Sequence, residues 1–399
     1  MAISAEDNDK VYEAVGRCAY LQINLDRITN NLNRIRSKIP LSTGIIGVVK
    51  GNAYGHGSVE VARHIKTLGV ERLAVATVGE GVELRKAGIG GPLLVFGNAN
   101  RVEARALFNH QLTPTVSSPE FAEAWAELAH NQTQVSGWRG EIEIEVNAGT
   151  NRNGIDVDHL DNFVNICSNL SIPIGGIYQH FSRGNSADDD NWTDQQLKSF
   201  MEVAAKYRMA GIPLHSSASC TAMKGIGADL DFVRIGKAMY GLDIPYLSEK
   251  EIASLGGASL AMSLIAKPTR VKMVSEGSYV GYGKRYRTSS AEIIGTFSLG
   301  YADGFGRFMN STSSRAIRGS DGKYYPVVGE SCMDATMVRL DSLEQVNDSF
   351  YLVTDDLDPA TSEISQRNTS GNIILDYNTM RLARVYISGG VVKFIFGGL

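Results

Sequence analysis

Short apolar runs recur along the chain, separated by stretches in which apolar residues return at helical spacing. Tyr20–Leu25 alternates and predicts a strand, with Asp26 placed to cap a helix from Arg27 to about Lys38. Gly44–Val49 is too short for a helix and β-branched enough for a buried strand. Further strands are predicted at Arg72–Val78, Pro92–Gly97, Leu112–Ser117, Ile142–Asn147, Ile172–Phe181, Pro213–Ser219 and Phe232–Ala238. Between them the spacing predicts helices at Gly81–Ala87, Pro119–His130, Asp194–Met209 and Ala222–Ala228. Ser118 before Pro119 predicts one helix start, and Thr193-Asp194-Gln195-Gln196 fits a capping box.

About eight strands, each followed by a helix, predict a (β/α)8 barrel of the TIM type over residues 26–250. A doubly wound open sheet is the rival, weakened because no G-x-G-x-x-G follows the first strand. After about Lys250 helical periodicity fades and glycine, threonine and valine rise. Short strands are predicted at Lys267–Val274, Glu292–Leu299, Tyr324–Val328 and Thr336–Leu340, with turns such as Gly319-Ser320-Asp321-Gly322. Residues 251–399 are therefore expected to form a mostly β domain, joined by an N-terminal strand over residues 10–25. The polar stretch Asp355–Asn372 is expected to be a surface loop.

Composition narrows the function classes. The chain has 399 residues, 43% hydrophobic and 21% charged, enough apolar material for a sizeable core. Its formal net charge of −4 carries no run of one sign, so neither nucleic acid nor a membrane is an expected partner. No apolar stretch approaches the ~18–20 residues of a membrane span, and Met1–Lys10 is polar and acidic. A cytoplasmic protein is expected. The four cysteines, Cys18, Cys167, Cys220 and Cys332, lie far apart, with no zinc or redox spacing, and no metal site is expected.

Candidate chemistry concentrates at predicted strand ends. Lys50, Arg152, His180, Ser219 and Arg234 all fall at or just past them, the face where barrel enzymes build their sites. Lys50 ends the run Val48-Val49 and precedes the Gly-rich turn Gly51-Asn52-Ala53-Tyr54-Gly55-His56-Gly57. A lysine desolvated there has a lowered pKa and can attack an aldehyde. Alternatively it caps the strand and snorkels to solvent.

From Tyr20 to Tyr386 the chain resembles the pyridoxal-phosphate-dependent alanine racemases, with Lys50–Gly57 close to their signature and Gly51 where alanine is usual. The resemblance implies that Lys50 forms the Schiff base with pyridoxal 5'-phosphate and is one of two catalytic bases, with Tyr54 on the phosphate. Racemisation needs a second acid on the opposite face, or the starting enantiomer reforms. Val280-Gly281-Tyr282-Gly283 matches the family's second-base motif, which implies that Tyr282 serves the partner subunit's active site in a homodimer. His180 matches a histidine in the hydrogen-bond chain to that tyrosine. Arg234 matches the arginine facing the pyridine nitrogen, which keeps its own proton and leaves that nitrogen unprotonated. Ser219, Gly236 and Lys237 match the phosphate site, with Ala218 where the family has asparagine.

Arg152 matches the arginine that pairs with the substrate carboxylate, a task suited to a bidentate guanidinium. Many members orient it with a carbamylated lysine; the aligned residue here is Glu145, already a carboxylate. In the β domain, Ser331-Cys332-Met333-Asp334 matches a segment presented to the partner's site, Met333 offering its N–H to the substrate carboxylate and Asp334 supporting the entrance. Tyr301 matches a gate tyrosine. The family's C-terminal tyrosine aligns with Met380, near Asn378 and Tyr377, and its loss would widen the pocket. The expected function is therefore a two-base racemase acting on alanine, or on serine or a broader set of amino acids. A related barrel-type decarboxylase, kept open by Cys332 and Asp334, and a non-enzymatic pyridoxal-phosphate carrier are the other readings.

Overall fold

A computed structural model describes residues 5–131, 138–184, 191–241, 259–305, 316–353 and 381–396. Tyr377, Asn378, Met380 and the stretch Asp355–Asn372 lie outside the described residues.

Eight parallel strands form the ring of the first sheet, β1 (Gly44–Val48), β2 (Arg72–Val75), β3 (Leu93–Asn98), β4 (Thr113–Val116), β5 (Ile142–Asn147), β6 (Ile174–Tyr178), β7 (Leu214–Ala218) and β8 (Phe232–Ile235), and a ninth, the two-residue strand Ile155–Asp156, pairs with the end of β5. Neighbours pair in sequence order, β8 returns to β1, and β4 pairs with β5 through Thr115↔Glu143 and Val116↔Ile144. The sheet is a closed barrel. Its alternation explains both of its faces. Along β5, Ile142, Ile144 and Val146 join the large core under the outer helices, while Glu143 and Glu145 occupy the opposite face and are also buried. The small cluster Ile46, Val48, Ala74, Leu94 and Tyr178 shares the inner face with these carboxylates.

The second sheet has ten strands. The N-terminal strand Ala19–Asn24 lies inside it, antiparallel to Met262–Ala266 and parallel to Arg384–Ser388. Residues 10–15, assigned above to a strand spanning 10–25, are helical instead, within Ala5–Val15. Asn8, Val11 and Tyr12 sit three and four apart on one helix face and are buried, and Val11 and Tyr12 pack with Tyr20, Ile265 and Val385.

Three local expectations change. Asn24, not Asp26, caps the first barrel-side helix, accepting from Arg27 N at 3.1 Å. Asp26 instead accepts from Ser388 Oγ and Gly389 N, each at 2.6 Å. The helix expected at Ala222–Ala228 runs from Ser219 to Met223, and the helix Trp192–Met209 begins at Asn191 with no side-chain cap, leaving Thr193 buried.

Candidate active site

Lys50 follows β1, and the turn behind it winds the wrong way. Gly51, Asn52 and Ala53 have φ of 61, 52 and 55°, and Tyr54 has φ of 53°. Ala53 N donates to Val49 O at 2.8 Å and Gly55 N to Gly51 O at 3.0 Å, which closes one left-handed turn. Left-handed backbone costs an L-residue roughly 1–2 kcal/mol, so Asn52, Ala53 and Tyr54 hold a strained conformation that neighbours must enforce. Glu80 is one enforcer: its Oε1 accepts from Gly51 N at 2.7 Å, and its Oε2 accepts from Ala76 N at 2.7 Å. Asn52 Oδ1 accepts from Ser58 N at 2.8 Å. His56 is wholly buried; its Nδ1–H is shared between Ala53 O (3.0 Å) and Tyr54 O (3.1 Å), and its Nε2 meets no polar partner among the described residues. Burial holds its pKa down at about 4.

The turn delivers Lys50 into a cavity of about 710 Å³ at the C-terminal ends of the barrel strands. Nine of the residues singled out from sequence line it: Lys50, Tyr54, Glu145, Arg152, His180, Ser219, Arg234, Gly236 and Lys237. Burial lowers the Lys50 pKa, and Arg152, Arg234 and Lys237 push the same way against Glu80. Phe96, whose ring centroid lies 5.9 Å from Lys50 Nζ, supplies an apolar wall not foreseen from the sequence. At one end of the cavity, Ser219 Oγ accepts from Gly236 N (3.1 Å) and Ala238 N (3.3 Å). A Cβ on Gly236 would stand 2.6 Å from Tyr54 Oη, so glycine lets the β8 backbone approach that hydroxyl. Burial raises the Tyr54 pKa to about 12 and keeps it a donor. Two hydroxyls, close backbone N–H groups and the Lys237 ammonium suit a phosphate monoester, and an amine beside them suits an aldehyde. The residues present therefore fit pyridoxal phosphate.

Inside the barrel, polar groups form a continuous chain. Arg234 Nη1 donates to His215 Nδ1 at 2.5 Å, and its Nη2 to Ser216 O (2.7 Å), Gln179 O (2.9 Å) and His180 Nδ1 (3.3 Å). A guanidinium only donates, so both histidines accept at Nδ1 and carry their proton on Nε2. His215 Nε2–H then meets Glu143 Oε2 at 2.9 Å. His180 is driven down to about 3 by burial and by Arg234, Arg152 and Lys50, and stays neutral. Arg152 Nη2 stands 3.8 Å from Glu145 Oε1, and Tyr178 donates to Glu145 Oε2 at 3.4 Å. Burial raises the Glu145 pKa, opposed by Arg152, Arg234 and the Tyr178 bond. Tyr178 also stacks on His215, 4.8 Å between centroids at 9°. Tyr178, His215, Glu143 and Glu80 were missed from sequence. The signal for Tyr178 was its place two residues before His180 on the same strand face.

The β-domain candidates form a second group outside this cavity. Tyr282 opens a one-turn 3-10 helix and is 70% exposed, and Met333 is 51% exposed. The Met333 loop is linked to the Tyr301 turn: Tyr301 N donates to Cys332 O and Ala302 N to Met333 O, both at 3.1 Å. Burial raises the Cys332 thiol pKa, and Glu330 and Asp334 add to it. Asp334 accepts from Arg381 at 2.6 Å.

Comparison with known proteins places the family and the fold. The family model "Alanine racemase, N-terminal domain" matches residues 23–244, and "Alanine racemase, C-terminal domain" matches residues 261–386. The chain is 30% identical to the alanine racemase of Carboxydothermus hydrogenoformans over 93% of its own length and 100% of that protein. It is 34% identical to that of Methanococcus maripaludis over 82% of this chain and 86% of the relative. Among solved structures, the alanine racemase of Clostridium difficile superposes with a TM-score of 0.82 at 30% identity, covering 95% of this chain and 98% of that one. With a closed barrel, a β domain and matches along nearly its whole length, the chain belongs to the alanine racemase family and is an amino-acid racemase.

Proposed function

We propose that the protein racemises a small α-amino acid, with alanine first, in the cytoplasm and as a homodimer whose two cavities are each completed by the partner's Tyr282. Pyridoxal phosphate, when bound, supplies an electron sink that acidifies the substrate's Cα–H. Lys50 Nζ holds that cofactor, and Ser219, Gly236, Lys237 and Tyr54 receive its phosphate. Once the substrate's own amine has displaced it from the cofactor, Lys50, its pKa lowered by burial, has a neutral fraction able to take the proton from one face of Cα. Arg152 pairs with the substrate carboxylate, and Glu145 orients it as a built-in carboxylate, the role the carbamylated lysine has elsewhere in the family. Arg234 keeps its protons and so offers the ring nitrogen donors rather than a proton. His180, neutral with its proton on Nε2, passes a hydrogen bond outward from Arg234.

The carrying observation is an imbalance. The cavity holds Lys50 on one side, while Tyr282 is 70% exposed and lies outside the cavity of its own chain. A racemase needs a proton donor on both faces.

Mixing two dead proteins tests this. Lys50→Ala and Tyr282→Phe homodimers are each expected to be inactive. Heterodimers formed from them contain one site with both lysine and tyrosine intact, so an equal mixture after exchange recovers about a quarter of wild-type activity. No recovery, with exchange verified by mass, removes the shared site.

A further inference from the structure

Strand Arg384–Ser388 belongs to the ten-stranded sheet, yet two of its side chains leave that sheet for the turn behind Lys50. Arg384 Nε donates to Gly55 O at 2.7 Å, and Tyr386 Oη donates to His56 O at 2.9 Å. Both side chains are buried. Gly57 has φ of +94°, and a Cβ there would stand 1.8 Å from Tyr386 Oη and 3.3 Å from Arg384 Cδ. The contact is as close as glycine permits.

The accepting groups explain the arrangement. Within the turn, N–H groups are satisfied internally: Gly55 N by Gly51 O, His56 N by Ala53 O (3.0 Å) and Gly57 N by Asn52 O (2.9 Å). The next helix, Ser58–Thr67, begins its ladder at Gly57 O, which accepts from Val61 N at 3.1 Å, so the carbonyls of Gly55 and His56 just before it need donors from elsewhere. Glu80 pins the first end of the turn from within the barrel, and the other domain pins the last end.

We infer that Arg384 and Tyr386 are positioning residues: they hold the left-handed turn closed and thereby fix the direction of Lys50, without touching substrate or cofactor. The catalytic consequence rests on the reading of Lys50 as the cofactor lysine, whereas the clasp itself is measurable without cofactor.

The test is amide hydrogen exchange on the full-length, cofactor-free protein, comparing wild type with Tyr386→Phe and Arg384→Met. Exchange at Ala53, Gly55 and Gly57 is expected to accelerate about tenfold or more in Arg384→Met and less in Tyr386→Phe, with β8 amides at wild-type rates. In the loaded variants kcat is expected to fall with KM nearly unchanged, and the visible absorbance of the bound cofactor to shift its pH midpoint. Unchanged exchange in the turn overturns the inference. So does equal acceleration across the barrel, the signature of general destabilisation. Should Arg384→Met not fold, Tyr386→Phe decides by the same criterion. Loss of the Lys50 reading shows separately, as cofactor absorbance that survives Lys50→Ala, and leaves the exchange result to judge the clasp.

Discussion

Lys50 lies in a cavity where burial and Arg152 oppose its charge, and its turn is bonded from two domains. Tyr282 stands on the β domain, 70% exposed, on a turn of three residues. One group is finished within a single chain, and the other is displayed. An exposed tyrosine between Gly281 and Gly283 makes little contribution to its own fold, so its worth has to lie in what it meets. The comparison implies that damage on the barrel side changes chemistry and turn together, whereas damage at Tyr282 changes chemistry alone.

The largest effect is expected from Lys50→Ala, which should abolish the cofactor absorbance and lower kcat by about 10⁴-fold or more, read by chiral chromatography. If activity persists, the barrel half of the comparison collapses. Next comes Tyr282→Phe, expected to keep the absorbance and the thermal midpoint while lowering kcat by about 10²–10³-fold. Deuterium incorporation should fall more from one enantiomer than from the other, and equal loss from both would break the two-face assignment.

The smallest effect separates the two sides by acid. His56 titrates at about 4 when folded and near 6.5 when unfolded, so the unfolded chain binds more protons between those values. Its contribution to stability is complete above about pH 6.5 and declines as pH falls toward 4, by roughly 3 kcal/mol in all. Urea unfolding of wild type and His56→Gln at pH 7, 5.5 and 4.5 checks this, the variant being expected to show the shallower decline.

How far the sequence reaches differs across the molecule. Lys50, Ser219 and Arg234 were legible because strand–helix alternation places strand ends at one rim, and chemistry-bearing residues fell there. Glu143 was not, although Ile142-Glu143-Ile144-Glu145-Val146 alternates perfectly. Alternation separates two faces without saying which is inside, and in a barrel wrapped by helices the apolar face is the outer one. The left-handed turn was hidden for another reason. Gly51, Gly55 and Gly57 hint at unusual backbone, but Ala53 and Tyr54 favour the right-handed form, and what overrules them comes from Glu80 about 30 residues on and from Arg384 and Tyr386 some 330 residues later. Helix Ala5–Val15 was missed because its buried face is narrow, and its polar residues dominate the count.

The N-terminal strand Ala19–Asn24 sits between Met262–Ala266 and Arg384–Ser388. On the ribosome it emerges first and waits, for tens of seconds at about 5–20 residues per second, until both neighbours have been made. The barrel can collapse in that interval, but the turn behind Lys50 gains its last two donors only when strand Arg384–Ser388 docks. A nascent or truncated chain lacking that strand would carry every barrel residue of the candidate site and still leave Lys50 on a slack turn, its direction set only once the last strands have docked.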